Sequence, residues 1–121
     1  MTGKLTTHVL DTAQGRPAAG MEIELWRVDP SGEGRTLLKR VYTNGDGRMD
    51  GGPLLDSDAF VSGTYELVFM VGDYFERQEV SASTPPFLDK VPVRFTIASA
   101  SAHYHVPLLV SPWAYSTYRG S

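Results

Sequence analysis

Cysteine is absent from the 121 residues, which excludes a disulfide framework, a thiolate nucleophile and a zinc site built on cysteine. Long apolar runs are missing as well. Nothing approaches the roughly 18 consecutive apolar residues of a helical membrane span, and the opening Met1-Thr2-Gly3-Lys4-Leu5-Thr6-Thr7-His8 lacks the apolar core of a secretory signal. A cytoplasmic protein is the expectation. Charge of one sign is not in excess either: 11 Lys and Arg against 14 Asp and Glu leave a net charge of −3, with no basic stripe for nucleic acid and no basic face for a membrane. Histidine is scarce, at three residues, so any imidazole chemistry falls to His8, His103 and His105.

What is present is alternation of period two. Met21, Ile23 and Leu25 alternate with Glu22 and Glu24, and Tyr65, Leu67, Phe69 and Val71 with Thr64, Glu66 and Met70, the pattern of strands with one face on a core. Leu37 to Thr43 and Val93 to Ile97 are rich in residues that suit a pleated sheet. Pro92 places the second of these at a strand start or a sheet edge. Turn chemistry separates the runs, at Gly15-Arg16-Pro17, Asp29-Pro30-Ser31-Gly32, Asn44-Gly45-Asp46-Gly47, Gly51-Gly52-Pro53 and Pro85-Pro86. The length suits one domain over 1–121. The reading is all-β: an antiparallel β-sandwich of seven to eight strands, near 5–11, 21–28, 36–43, 64–71, 93–98, 103–110 and 114–119, with one short helix near Asp73 to Val80.

The histidines lie in strand-like segments close to the two chain ends. Period two puts His103 and His105 on one face with Pro107 and Leu109, while Tyr104, Val106 and Leu108 point the other way. Thr6, His8 and Leu10 share a face of the first strand, and Ser116, Tyr118 and Gly120 share one at the end of the chain. A histidine on a strand is most often a surface or a satisfied core residue. A His-x-His pair completed by His8 would offer zinc three imidazoles, but no carboxylates that would fix their tautomers are identifiable nearby; no metal is expected. Asn44 to Asp50 has the alternating oxygens of a calcium loop, yet Arg48 stands at a ligand position and the terminal Glu is missing, so composition makes this stretch a turn.

Four blocks carry a more specific signal: Leu5-Thr6-Thr7-His8-Val9-Leu10-Asp11 leading to Gly15-Arg16-Pro17-Ala18; Thr43-Asn44-Gly45-Asp46-Gly47-Arg48; Ala102-His103-Tyr104-His105-Val106-Pro107-Leu108-Leu109; and Tyr115-Ser116-Thr117-Tyr118-Arg119-Gly120-Ser121. With them the chain resembles the transthyretin-like family, and the terminal Tyr-Arg-Gly-Ser is similar to the mark of its hydroxyisourate hydrolase branch rather than of its hormone carriers. Ser111-Pro112 and Tyr115-Ser116-Thr117 look like scaffold shared by both branches.

The resemblance implies a transthyretin-like sandwich, a homotetramer with sites in a channel at the dimer–dimer interface, and hydrolysis of 5-hydroxyisourate without a metal or organic cofactor. It places His8, Arg48, His105 and Tyr118 in the active site, with Ser121 approaching it and His103 and Ser116 secondary. Such a site activates water with His105 or His8. Arg48 steadies the oxyanion, and Tyr118 orients the substrate. The alternative is a carrier or binding module for a small aromatic ligand. Against it, positions similar to the carriers' channel lining hold His8, His105 and Tyr118, which suit a flat polar heterocycle better than an apolar hormone.

Overall fold

The structure, a computed structural model, describes residues 3–78 and 85–120. Nine strands are found among them: β1 (Lys4–Asp11), β2 (Arg16–Pro17), β3 (Glu22–Val28), β4 (Arg35–Tyr42), β5 (Leu55–Asp56), β6 (Gly63–Met70), β7 (Lys90–Ile97), β8 (His103–Val110) and β9 (Tyr115–Thr117), with one helix, α1 (Val71–Arg77), and a single 3-10 turn at Ser57–Ala59. The seven runs read from the sequence are all strands. The two not foreseen, β2 and β5, are two residues each and too short to carry a periodic signal.

The strands form two sheets. One runs β2-β1-β8-β9, with β5 also on β1, and the other β4-β3-β6-β7. Every pairing is antiparallel except one: β1 and β8 lie parallel over all eight residues, from Lys4 opposite His103 to Asp11 opposite Val110. That parallel pair joins the two ends of the chain, and it brings the three histidines onto one sheet.

Between the sheets, Leu5 and Val9 of β1 and Tyr104, Val106, Leu108 and Val110 of β8 meet Ile23 and Leu25 of β3, Leu67 and Phe69 of β6 and Val91 of β7, all buried. Each such side chain contributes roughly 1.5–3 kcal/mol relative to exposure, and the alternation of their positions fixes register, because a one-residue slip would turn the set to solvent. β6 departs from simple alternation. Glu66, Val68 and Met70 are buried as well, because β6 runs between β3 and β7 and Arg35 and Arg94 close over Glu66 at 2.8 and 3.1 Å.

Pro92 lies inside β7, which begins at Lys90. β7 ends its sheet, where a missing N–H costs no ladder bond; the edge expectation holds and the strand-start alternative does not. The helix starts two residues before the expected Asp73, directly from β6, and its Val71, Gly72, Tyr74 and Phe75 are buried. The expected end at Val80 lies outside the described residues. Tyr74 donates its hydroxyl to Asp11 at 2.8 Å, and Asp11 also accepts from the backbone of Ala13 and Gln14. Burial and the Asp11 carboxylate push the Tyr74 hydroxyl well above the ordinary phenol range, so it stays a donor. The C-terminal end of β1 is thereby tied to α1. No helix among the described residues is long and apolar enough to cross a membrane.

Candidate active site

On β1 and β8 the core takes alternate residues and leaves Thr6 and His8 on the outer face beside His105 and exposed His103. Because the strands are parallel and in register, Thr6 stands opposite His105 and His8 opposite Pro107. The Thr6 hydroxyl lies 2.8 Å from His103 Nε2 and 2.8 Å from His105 Nδ1. The two rings are 6.2 Å apart, with the hydroxyl bridging them.

His8 is held from the other side. Its Nε2 is 2.9 Å from the carbonyl oxygen of Asp46. A carbonyl only accepts, so the neutral ring carries its proton on Nε2 and its lone pair on Nδ1. The loop that supplies this carbonyl is built by Asn44, whose Oδ1 accepts from the backbone N–H of Asp46 and Arg48 at 2.9 and 3.1 Å. Gly47 docks the loop on β1 by accepting from Val9 N–H at 2.9 Å. Its φ is +76°, and a Cβ there would run into the Val9 carbonyl oxygen and approach the His8 ring, so the position requires glycine. The turn read from composition is thus also the platform of Arg48.

Arg48 is exposed, and its charge acts on both His8 and His105. Both imidazoles titrate below the ordinary 6.5. For each, burial is the larger cause and the Arg48 guanidinium the second; for His105 the other two histidines add to the effect, and for His8 the Asp46 contacts oppose it. A nearby guanidinium would by itself favour the neutral form of both rings. In the fold, desolvation does more.

The chain end crosses His105. Gly120 N–H donates to the His105 carbonyl at 2.8 Å, and a Cβ on Gly120 would sit 2.5 Å from Cδ2 of the imidazole. Glycine in the terminal Tyr-Arg-Gly-Ser is therefore a steric requirement of the ring beneath it. Arg119 lies with its guanidinium 4.1 Å from the centre of the Tyr104 ring, which anchors the segment to β8.

Of the residues expected in the site, His8, His103, His105 and Arg48 come together. Tyr118 is 61% exposed, and among the described residues its hydroxyl has no partner. Ser116 pairs with Leu109, four residues along β8 from His105 and so about 13 Å away; one chain does not bring it to the imidazoles. Ser121 lies outside the described residues. The sequence reading missed Thr6, Asn44, Asp46 and Gly47 as parts of the site. Thr6 carried a usable signal, since it shares the His8 face two residues away. Asp46 contributes a backbone carbonyl, which no residue type announces.

Residues 5–120 match the family described as HIUase/Transthyretin. The chain belongs to that family. Among its relatives, 5-hydroxyisourate hydrolase 2 of Rhizobium meliloti (strain 1021) is 58% identical over 99% of this chain and 98% of its own length. Among solved structures, an (S)-allantoin synthase aligns with a TM-score of 0.93 and 50% identity over 99% of this chain, which spans only 44% of that longer protein. Sea bream transthyretin in complex with thyroxine aligns with a TM-score of 0.84 and 25% identity over 97% of this chain and 94% of its own. This chain is thus similar both to a protein named 5-hydroxyisourate hydrolase and to a transthyretin solved in complex with thyroxine, so the fold alone does not decide the function.

Proposed function

We propose that this protein hydrolyses 5-hydroxyisourate to 2-oxo-4-hydroxy-4-carboxy-5-ureidoimidazoline, a step of urate catabolism. The observation that carries the reading is the near full-length identity of 58% to a 5-hydroxyisourate hydrolase. The chemistry of the site agrees with it: two imidazoles kept neutral near pH 7 stand within the field of a guanidinium. The carrier alternative is not favoured by these relatives.

In the reaction, water adds to a ring carbonyl carbon, the ring C–N bond breaks, and the ring nitrogen takes a proton. His105 or His8 is the general base that removes a proton from water and returns it to the leaving nitrogen, a role commonly worth about 10² to 10⁴ in rate. Arg48 is charged at any working pH, and its planar donors steady the oxyanion of the tetrahedral intermediate. Tyr118 orients the heterocycle, with Ser121 approaching from the chain end and His103 and Ser116 secondary. These roles belong to the proposal, as do a single functional unit over 1–121, a cytoplasmic location and a homotetramer with its sites at the dimer–dimer interface. Tetramer formation would bring a second subunit's Tyr118 and chain end within reach of the same imidazoles. The test is product identity: carbon NMR of the reaction in ¹⁸O-water should show one labelled oxygen in a new carboxylate. Sedimentation equilibrium should give four times the chain mass. Unlabelled carboxylate, or disappearance of substrate at the uncatalysed rate, contradicts the proposal.

A further inference from the structure

The Thr6 hydroxyl has one proton to give and stands 2.8 Å from a nitrogen of each of two histidines. It can donate to one of them at most and, with two lone pairs, can accept from one or from both. Accepting from both would leave the hydroxyl proton needing a third partner, and among the described residues there is none. Two arrangements remain, in which the tautomers of His103 and His105 are coupled through that one proton. In the first, His103 Nε2–H donates to Thr6, Thr6 donates to His105 Nδ1, and His105 keeps its own proton on Nε2. In the second, His105 Nδ1–H donates to Thr6, Thr6 donates to His103 Nε2, and His105 Nε2 holds the lone pair.

The surroundings favour the second. Among the described residues no group accepts from His105 Nε2, so a proton there would have only solvent to meet. Arg48 acts on this ring as a nearby cation, and a lone pair in that field is stabilised where an N–H is not. His103, by contrast, is exposed, and in the second arrangement its remaining Nδ1–H is free to meet water.

We propose that Thr6 and His103 are positioning residues, whose shared hydroxyl proton holds His105 as its Nδ1–H tautomer and leaves Nε2 as the nitrogen that accepts a proton. The tautomer follows from the hydrogen bonds together with the Arg48 charge; only its use as the reacting base rests on the hydrolase reading. It also gives His103 a task, passing its influence through Thr6 without touching substrate, and it selects a nitrogen of His105 for the chemistry.

The experiment is long-range ¹H–¹⁵N NMR of the imidazoles in the full-length ¹⁵N-labelled protein at about pH 8, where ordinary histidines are neutral, with His105→Ala used for assignment. The expected result is a protonated Nδ1 and an unprotonated Nε2 at His105. Thr6→Val keeps the side-chain shape and removes the hydroxyl; it should move His105 toward the Nε2–H form and lower kcat about threefold to tenfold, the value of one lost hydrogen bond, with KM unchanged. Thr6→Ser restores the hydroxyl and should restore both readings. Finding Nε2–H at His105 in the unmodified protein, or a Thr6→Val protein with an unchanged tautomer and kcat, overturns the proposal. If the spectra show the expected tautomer but the protein does not turn over 5-hydroxyisourate, the hydrogen-bond assignment stands and the hydrolase reading fails.

Discussion

Replacing Gly120 with alanine should disable the site while leaving the fold intact. The methyl group would be placed 2.5 Å from Cδ2, 3.1 Å from Cγ and 3.2 Å from Cβ of His105. Carbon atoms in contact settle at about 3.5–4.0 Å, so the imidazole or the chain end must yield by about 1 Å. If the ring moves, its nitrogens leave the position Thr6 defines; if the terminus moves, it takes the Gly120–His105 hydrogen bond and Tyr118 with it. A displacement of about 1 Å at a reacting group is enough for losses of up to about a hundredfold. We expect kcat/KM to fall by roughly 10- to 100-fold. The melting temperature should barely change, since the chain end contributes nothing to the core between the sheets. The assay is the ultraviolet decay of freshly generated substrate, read beside a thermal melt. A Gly120→Ala protein with full activity and an unmoved His105 NMR signal would refute the steric argument.

Other expectations follow from the same geometry. Arg48→Met should remove most activity, by a factor on the order of 10² to 10³ for one lost oxyanion partner, without loss of secondary structure by circular dichroism. Because both His8 and His105 titrate below 6.5 in the fold, the acid limb of kcat/KM should fall below that value; removing Arg48 should move it upward, since its charge lowers both. The same depression makes the unfolded chain bind more protons than the folded one, so this part of the folding stability is full above pH 6.5 and is lost as pH falls through the folded values; urea midpoints at successive pH values check it. His103→Ala should cost less activity than His105→Ala, and equal losses would contradict the ranking. Tyr118→Phe should raise KM more than it lowers kcat, and an unchanged KM would count against its contact with substrate.

The core was legible in the sequence because burial is written in period two. Ile23, Leu25, Leu67, Phe69, Val106 and Leu108 each fall where alternation puts them. The outward face of His103 and His105 was legible for the same reason. What the pattern does not carry is the partner of each strand. Nothing in Leu5 to Asp11 says that it runs parallel to His103–Val110, and that pairing is what assembles the site from the two chain ends. β6 was read as half-buried because alternation cannot reveal that neighbours on both sides and the Arg35–Glu66–Arg94 cluster cover its second face. Asn44 to Asp50 read as a turn, and it is one. Its contribution is a carbonyl aimed at His8 and a glycine with positive φ, and backbone groups leave almost no trace in residue type. Arg48 and the terminal Gly120 were picked out by family motif; the steric reason for Gly120 needed the His105 ring in place.

The central claim is tested most directly by following freshly generated 5-hydroxyisourate at ultraviolet wavelengths with the chelator-treated protein, with its His105→Ala variant and without protein. Acceleration by the unmodified protein that is lost in the variant is the predicted result. Decay at the uncatalysed rate in all three, or equal acceleration by both proteins, would contradict it.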